Sequence, residues 1–430
     1  HVLRMRTQPP LSKVPVVSQP TNQRKHTIAI RMKPFVPLLL LYGYFAVAFQ
    51  AVVQLKRASP TFSRSSLTIA KSDFSSEQDH KRRDVLRNAV AASFAMPSKS
   101  RAASTNLLAD VPMIRFKPPL NAVGEPYVAI ELCIDGEDVE FMLDTGLTLE
   151  FVTPHLKEQL HLRSQRSQMT GLAAGGVNAA ADTVVDLRGA SVCIDGKTQL
   201  QLPEMHALVI DFPQEHIDPK HDPVEGMLGL EVLSQYDVDL DFPKGRVRFY
   251  KPGTAEKRGL MEIPSIVIND TGILGFRLTT DPSRQPILAI VDCGSTFSAI
   301  NWKAAALLGL PPKEDAVYKT GPQILAVGVD GRPIQFPTLQ QSLTFVGEAI
   351  SKDGKLAGFE PPPSSWKAWK PVTMAVGDVP IFPELLGDGI TPYNGPAGLI
   401  GLDILAQRRV VIESAGNART RRRRIFVGAQ

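Results

Sequence analysis

A short apolar stretch that ends in aspartate, a small residue and glycine occurs twice in this 430-residue chain, and the repetition limits the fold more than any other feature. Phe141-Met142-Leu143-Asp144-Thr145-Gly146 returns as Ala289-Ile290-Val291-Asp292-Cys293-Gly294, an offset of 292 − 144 = 148. Without a gap, that offset also pairs Val152 with Ile300, Leu160 with Leu308 and Leu162 with Leu310. A second block follows in each half. Gly226-Met227-Leu228-Gly229-Leu230-Glu231-Val232-Leu233 returns as Gly398-Leu399-Ile400-Gly401-Leu402-Asp403-Ile404-Leu405, an offset of 398 − 226 = 172. The later half therefore holds 172 − 148 = 24 additional residues, expected between Gly347 and Gly389, where Pro361-Pro362-Pro363 and Trp366-Lys367-Ala368-Trp369 mark a loop. One supersecondary design used twice is the simplest reading of such self-similarity.

Strand signals surround both blocks. Tyr127 to Ile134 alternates in part, Asp135-Gly136 is a hairpin turn pair, and Val139 to Leu143 then delivers Asp144 to a glycine-containing turn. After the turn, Leu156 and Leu160 have helical spacing, with Thr153 as cap and Pro154 at the first helical position. Asn301 to Leu310 repeats that layout. Each half closes with a hairpin, Val238 to Phe242 with Val247 to Tyr250, and Val410 to Glu413 with Ile425 to Val427, while Lys251 to Asp270 connects the halves. With 35 Pro and 32 Gly the composition suits a turn-rich all-β fold and argues against a helix bundle.

The first hundred residues read as an address. Residues before Met32 are set aside from fold reasoning. Arg31 and Lys33 precede an apolar run from Phe35 to Phe45 that ends in Ala46-Val47-Ala48 and Phe49, a secretory signal too short to span a bilayer. Gln50 to Lys71 carries Lys, Arg, Ser and Thr without an acidic residue, as organelle transit peptides do. The combination resembles the bipartite plastid presequence of algae with complex plastids. Arg82-Arg83 before Ala89 to Met96 is similar to a twin-arginine lumen signal, and an amphipathic tail of the transit peptide is the equal alternative. Expected domains are thus a largely disordered presequence over 1–109, a first lobe over 110–255 and a second over 256–430. The expected location is a plastid, in its thylakoid lumen on the twin-arginine reading, with a secreted or endomembrane lumen as the alternative.

A strand ending in Asp-Thr-Gly, then a helix, then an apolar pair before Gly resembles the pepsin-like and retroviral-type aspartic proteases over nearly all of residues 110 to 430. The sequences around Asp135 to Gly146 and Gly226 to Leu233 look more like the retroviral type, present as a tandem pair. The resemblance implies a bilobal fold of two related β-barrel-like lobes with short helices, and an endopeptidase in which Asp144 and Asp292 share one proton. Like charge prevents both carboxylates from ionising together, so one activates a water and the other hydrogen-bonds the scissile carbonyl. Thr145, Gly146, Cys293, Gly294 and Ser295 would support the catalytic loops. Gly171, Gly175 and Gly176, with Gly328, would sit in substrate-covering flaps, a plain glycine turn being the equal alternative.

Two positions depart from the pattern. Cys293 stands where the second loop normally has Thr or Ser, which predicts a looser lock between the loops because a thiol is a weak donor. Leu147 stands where the first loop normally has a small hydroxyl residue. These departures leave a catalytically weak or inactive peptide-binding protein as the alternative function. Trp366 and Trp369 are expected to pack on the surface of the insertion rather than to line a subsite.

No cofactor or metal is expected. The histidines of His216 to Asp222 read as an exposed loop, and the cysteines Cys133, Cys193 and Cys293 lack metal-ligand spacing. One pair of them can bridge, and sequence does not choose which. A formal net charge of +5 requires no nucleic-acid partner, and Arg421 to Arg424 reads as a solvated hairpin before Ile425. The expected partners are polypeptide substrates, with a monomeric protein that keeps no stable membrane span.

Overall fold

The computed structural model describes residues 50–54, 106–117, 124–166, 183–211, 221–268, 271–327, 333–387, 391–414 and 423–429. Its helices are short, and strands carry the architecture. Two ten-stranded sheets, one from each half of the repeat, share the same internal order. In the first, the path runs Tyr127–Ile134, Glu137–Leu143, Val224–Leu228, Glu150–Val152, Met205–Val209, Thr183–Leu187, Ser164–Arg166. In the second it runs Leu274–Thr279, Ile287–Val291, Ala397–Ile400, Ala299–Ile300, Val372–Val376, Pro333–Gln341, Gln323–Val327. The fold is all-β and bilobal, and the duplication read from the two Asp blocks extends to strand order. Gln50–Gln54, within the expected presequence, pairs antiparallel with Gln323–Val327.

The turn chemistry explains the first hairpin. Asp135 and Gly136 both have positive φ, 52° and 91°, as a tight two-residue connection between twisted strands requires. Asp195-Gly196 makes a similar turn, φ 47° and 71°, between Ser191–Ile194 and Lys197–Gln201. Helices start where their caps predict. Thr153 Oγ1 accepts from Leu156 N at 3.0 Å before Pro154–Gln159, and Asn301 Oδ1 accepts from Ala304 N at 2.8 Å before Trp302–Leu307.

The closing hairpins do more than end their halves. They join in a third, six-stranded sheet ordered Leu260–Ile263, Arg424–Gly428, Val410–Glu413, Asp237–Asp241, Arg246–Tyr250, Leu107–Pro112. Its centre is the antiparallel pairing of Leu240 with Val410 and Val238 with Ile412, one strand from each half. Across that seam Arg409 grips the fully buried Asp239 with Nε to Oδ1 at 2.9 Å and Nη2 to Oδ2 at 2.8 Å.

Cysteine pairing and the insertion are settled by packing. Cys133 and Cys193, on adjacent strands, form a disulfide that closes a separation of 60 residues, and Cys293 is free and buried. The additional residues of the second half build a hairpin, Gly347–Ile350 with Leu356–Glu360, and a following loop. That loop does not leave its tryptophans on the surface. Trp366 and Trp369 are buried, edge to face with one another at 4.9 Å, and pack on Phe345 and Phe276 while Arg408 lies over Trp366. Burying two indoles anchors the insertion to the core, since apolar area removed from water stabilises by about 25 cal/mol per Å². Among the described residues, no helix is long and apolar enough to cross a membrane.

Candidate active site

Each aspartate is held at the end of a strand by the second sequence block. Met227 and Leu228 run parallel beside Met142 and Leu143, and Asp144 N donates to Leu228 O at 3.0 Å. The second half repeats this with Val291 beside Ile400 and Asp292 N to Ile400 O, also 3.0 Å. The chain after each block then closes on the loop, Leu230 N to Leu147 O and Leu402 N to Ser295 O, both 2.8 Å. A Gly-containing apolar block is thus needed in each half because its carbonyls and amides fix the aspartate loop.

The two loops meet. Asp144 is 1% and Asp292 0% exposed, and their carboxyls lie close enough to perturb one another's titration. Inner oxygens are oriented alike, Gly146 N to Asp144 Oδ1 and Gly294 N to Asp292 Oδ1, each 2.8 Å. The Oδ2 atoms are buried, and among the described residues no N–H or O–H group donates to them. Contact is close enough that a Cβ on Gly294 would lie 2.3 Å from Asp144 Cγ, so only glycine fits there.

Below the carboxyls the loops lock through a crossed pair of side chains. Thr145 Oγ1 donates to Val291 O at 3.1 Å and accepts from Cys293 N at 3.0 Å. Cys293 Sγ donates in return to Leu143 O at 3.3 Å. The thiol therefore occupies the place of a hydroxyl and keeps its bond, rather than leaving the lock open. Burial, then the charge of Asp144, pushes that thiol up to about 12, so it stays a neutral donor. Ser295 Oγ donates to Phe297 O at 2.9 Å, and Leu147, its counterpart, is fully buried in apolar surroundings.

Burial drives the electrostatics. It raises both carboxyls above the ordinary aspartate range, Asp292 further because the Asp144 charge adds to burial, while loop amides oppose the rise. Both groups cannot carry charge in that volume, so the pair holds a proton to higher pH than a solvated carboxylate would.

Sequence inspection misses several residues around the dyad. Tyr127 is 1% exposed and hydrogen-bonds the Thr296 side chain, and burial followed by the Asp292 charge pushes its phenol up. Glu150 and Glu231 form a carboxyl pair whose counterparts, 150 + 148 = 298 and 231 + 172 = 403, are Ser298 and Asp403. Ser298 Oγ donates to Asp403 Oδ1 at 2.6 Å. The repeat offsets carry that signal, whereas nothing in the sequence around Tyr127 does. Gly171, Gly175, Gly176 and Gly328 lie outside the described residues, as does His216. The strands flanking the two glycine segments do pair as hairpins, Arg166 with Thr183 and Val327 with Pro333. His221 is not free in a loop: Nε2 is 3.3 Å from Glu140 and its ring rests on Phe116. Glu131, Cys133, Asp138 and Cys193 bring donor atoms within 4.8 Å of one another, with both sulfurs already joined in the disulfide.

Residues 130–232, which contain the first aspartate loop and the first Gly-Leu block, match the aspartyl protease family. No curated protein matches the chain. Among solved structures, basic 7S globulin from soybean is similar at 11% identity and a TM-score of 0.34, covering 76% of this chain and 95% of its own. Conglutin gamma, a basic 7S globulin from lupine seeds, is similar at 12% identity and a TM-score of 0.36, with the same coverage.

Proposed function

We propose that this protein is an aspartic endopeptidase that hydrolyses peptide bonds with a water activated between Asp144 and Asp292. The observation that carries the reading is the pair of buried carboxyls brought together, each delivered by an equivalent loop and each oriented by a glycine amide. In this mechanism the ionised carboxyl removes a proton from water as the oxygen attacks the scissile carbonyl. The protonated carboxyl hydrogen-bonds the carbonyl oxygen as charge develops there. Which aspartate begins ionised is a property of the pair and not of either residue. Thr145 and Cys293 act as positioning residues, since they touch the loop backbones and not the reacting atoms.

Because one chain supplies both aspartates, the monomer is the functional unit. Unfolded polypeptides are the substrates, and residues 32 to 109 address the protein to a plastid. Imaging a fusion of that segment to a fluorescent protein tests the address separately from the chemistry.

Activity is tested by digesting a denatured protein across pH, with and without a statine-type transition-state mimic. Acid-optimal cleavage that the mimic blocks supports the assignment. One observation favours a second reading: Leu147 places an apolar side chain where the second loop has the Ser295 hydroxyl. If the protein is a peptide-binding relative, it will retain peptides on a column yet leave them intact from about pH 3 to 7, the range in which such a dyad exchanges its proton.

A further inference from the structure

The run Arg421 to Arg424 does not end as a solvated hairpin. Arg423 is only 8% exposed, and among the described residues no carboxylate lies within ion-pair distance of it. Among the described residues its acceptor is Gly272 O, 2.7 Å from Nη1, and its buried Nε has none. An isolated charge held out of water costs several kcal/mol unless an anion or a set of acceptors compensates it. Burial pushes this guanidinium down to about 10, which still leaves it charged at neutral pH.

Arg423 lines a cavity of about 750 Å³, far from full closure and separate from the aspartate loops. That volume falls in the range of small-molecule sites. The remaining charges around it are accounted for. Arg277 Nε pairs with Glu348 at 2.6 Å, Arg424 pairs with Glu262 at 3.3 Å and with Glu413, and Glu360, exposed on the outer strand, also lines the cavity but lies beyond ion-pair distance of Arg423. Arg423 is left as the one unmatched cation of the lining.

Between these charged residues the wall is apolar. Pro264, Ile266, Val267, Val346 and Ile350 face the cavity. Ile350 is 57% exposed and its cross-strand neighbour Leu356 is 52% exposed, the two most exposed large hydrophobic residues of the described structure. Both sit on the inserted hairpin that the first half lacks. A lip of exposed aliphatic side chains above a buried, unpaired guanidinium is matched by a molecule with an apolar body and one terminal anion.

We infer that this cavity binds a small amphiphilic carboxylate, its head on Arg423 and its aliphatic chain along Ile266, Val346 and the Ile350–Leu356 lip. A planar carboxylate suits the fork of a guanidinium, which explains why the position holds Arg rather than Lys. The site is independent of the peptidase assignment, because none of its residues belongs to the aspartate loops or their supports.

Isothermal titration of the intact protein with decanoate, below its aggregation concentration, tests the inference against decanol and acetate as probes. Decanoate is expected to bind and to raise the melting temperature, while decanol, lacking the charge, and acetate, lacking the chain, bind at least tenfold more weakly. Arg423→Met keeps the length of the side chain and removes the charge, and should weaken decanoate by about tenfold or more, the worth of a charged hydrogen bond. Ile350→Glu, on an exposed hairpin position that cannot unfold the core, should weaken it several-fold by removing apolar contact and adding like charge. Equal binding of decanol and decanoate would overturn the inference, as would decanoate binding that neither substitution changes.

Discussion

At the residue scale, a hydroxyl and a thiol perform matching tasks at Thr145 and Cys293, and the difference between them is measurable. The thiol bond to Leu143 O is longer and weaker than the hydroxyl bond to Val291 O. Cys293→Thr should hold the loops more firmly and raise stability by about 0.5–1 kcal/mol in a denaturant titration, with turnover equal or higher. Cys293→Ala strands a buried carbonyl and should cost about 1–3 kcal/mol. The aspartates behave in the opposite sense. Their folded pKa values lie above the unfolded value, so the stability they contribute is complete below that unfolded value and is lost as pH rises through the folded ones. Asp144→Asn or Asp292→Asn, which removes one titrating charge, should therefore abolish cleavage while raising stability at pH 7 by on the order of 1–3 kcal/mol. Thermal melts at pH 3 and pH 7 check the sign, since the gain must shrink toward the acid side. A variant that still cleaves would exclude a shared-proton mechanism.

At the scale of the elements, the repeat preserves positions while exchanging chemistry. In the first half Glu150 Oε1 accepts from Val232 N at 3.0 Å inside the short helix Leu230–Leu233, and Glu231 hydrogen-bonds His206 at 3.0 Å. In the second half Ser298 takes the place of Glu150 and donates to Asp403. Burial raises the Glu150 carboxyl well above the usual range, and its bond to Glu231 raises it further. Its contribution is thus present at acid pH and lost on the way up, so Glu150→Gln should stabilise the protein at pH 7 and above but have little effect near pH 4. If the substitution destabilises equally at both pH values, the carboxyl acts only as a cap. Strand positions, caps and both aspartate loops were legible because each depends on local chemistry: an Asp-Gly turn, a Thr or Asn cap, an apolar alternation. What was not legible depends on distant partners. Nothing near Trp366 or Arg423 shows that the chain folds back to bury them, and nothing near Cys133 shows that Cys193, and not Cys293, lies on the neighbouring strand. The repeat offsets relate Glu150 and Glu231 to Ser298 and Asp403, but that the members of each pair meet depends on the fold.

At the scale of the whole molecule, the dyad requires two separately built sheets to stay in register, and the six-stranded sheet is the element that both halves share. Its seam joins Asp237–Asp241 to Val410–Glu413, and the charge cluster on it is buried. Asp239, fully inaccessible, accepts two bonds from Arg409 of the second half and one from Arg248 of the first at 3.0 Å. Asp237 Oδ1 likewise reaches across to Ser414 N at 2.9 Å. Removing one member of such a cluster leaves the others as uncompensated buried charge, which typically costs about 3–5 kcal/mol. Asp239→Ala strands the Arg409 guanidinium at the place where the halves meet, while Arg248 keeps Asp241 and Asp110, and the site is more than ten residues in sequence from either aspartate loop and outside its hydrogen bonds. The expected result is a lower melting temperature and a loss of cleavage out of proportion to the unfolded fraction, because the seam sets how the two loops face each other. Calorimetry gives the decisive comparison. The native protein should unfold in one transition whose calorimetric and van't Hoff enthalpies agree, whereas the variant should show two, one for each half. Two separate transitions in the native protein would mean that the shared sheet does not couple the halves, and the geometry of the dyad would then have to be maintained by contacts beside the loops, those of Thr145 and Cys293 and the bond of Glu125 N to Thr296 O.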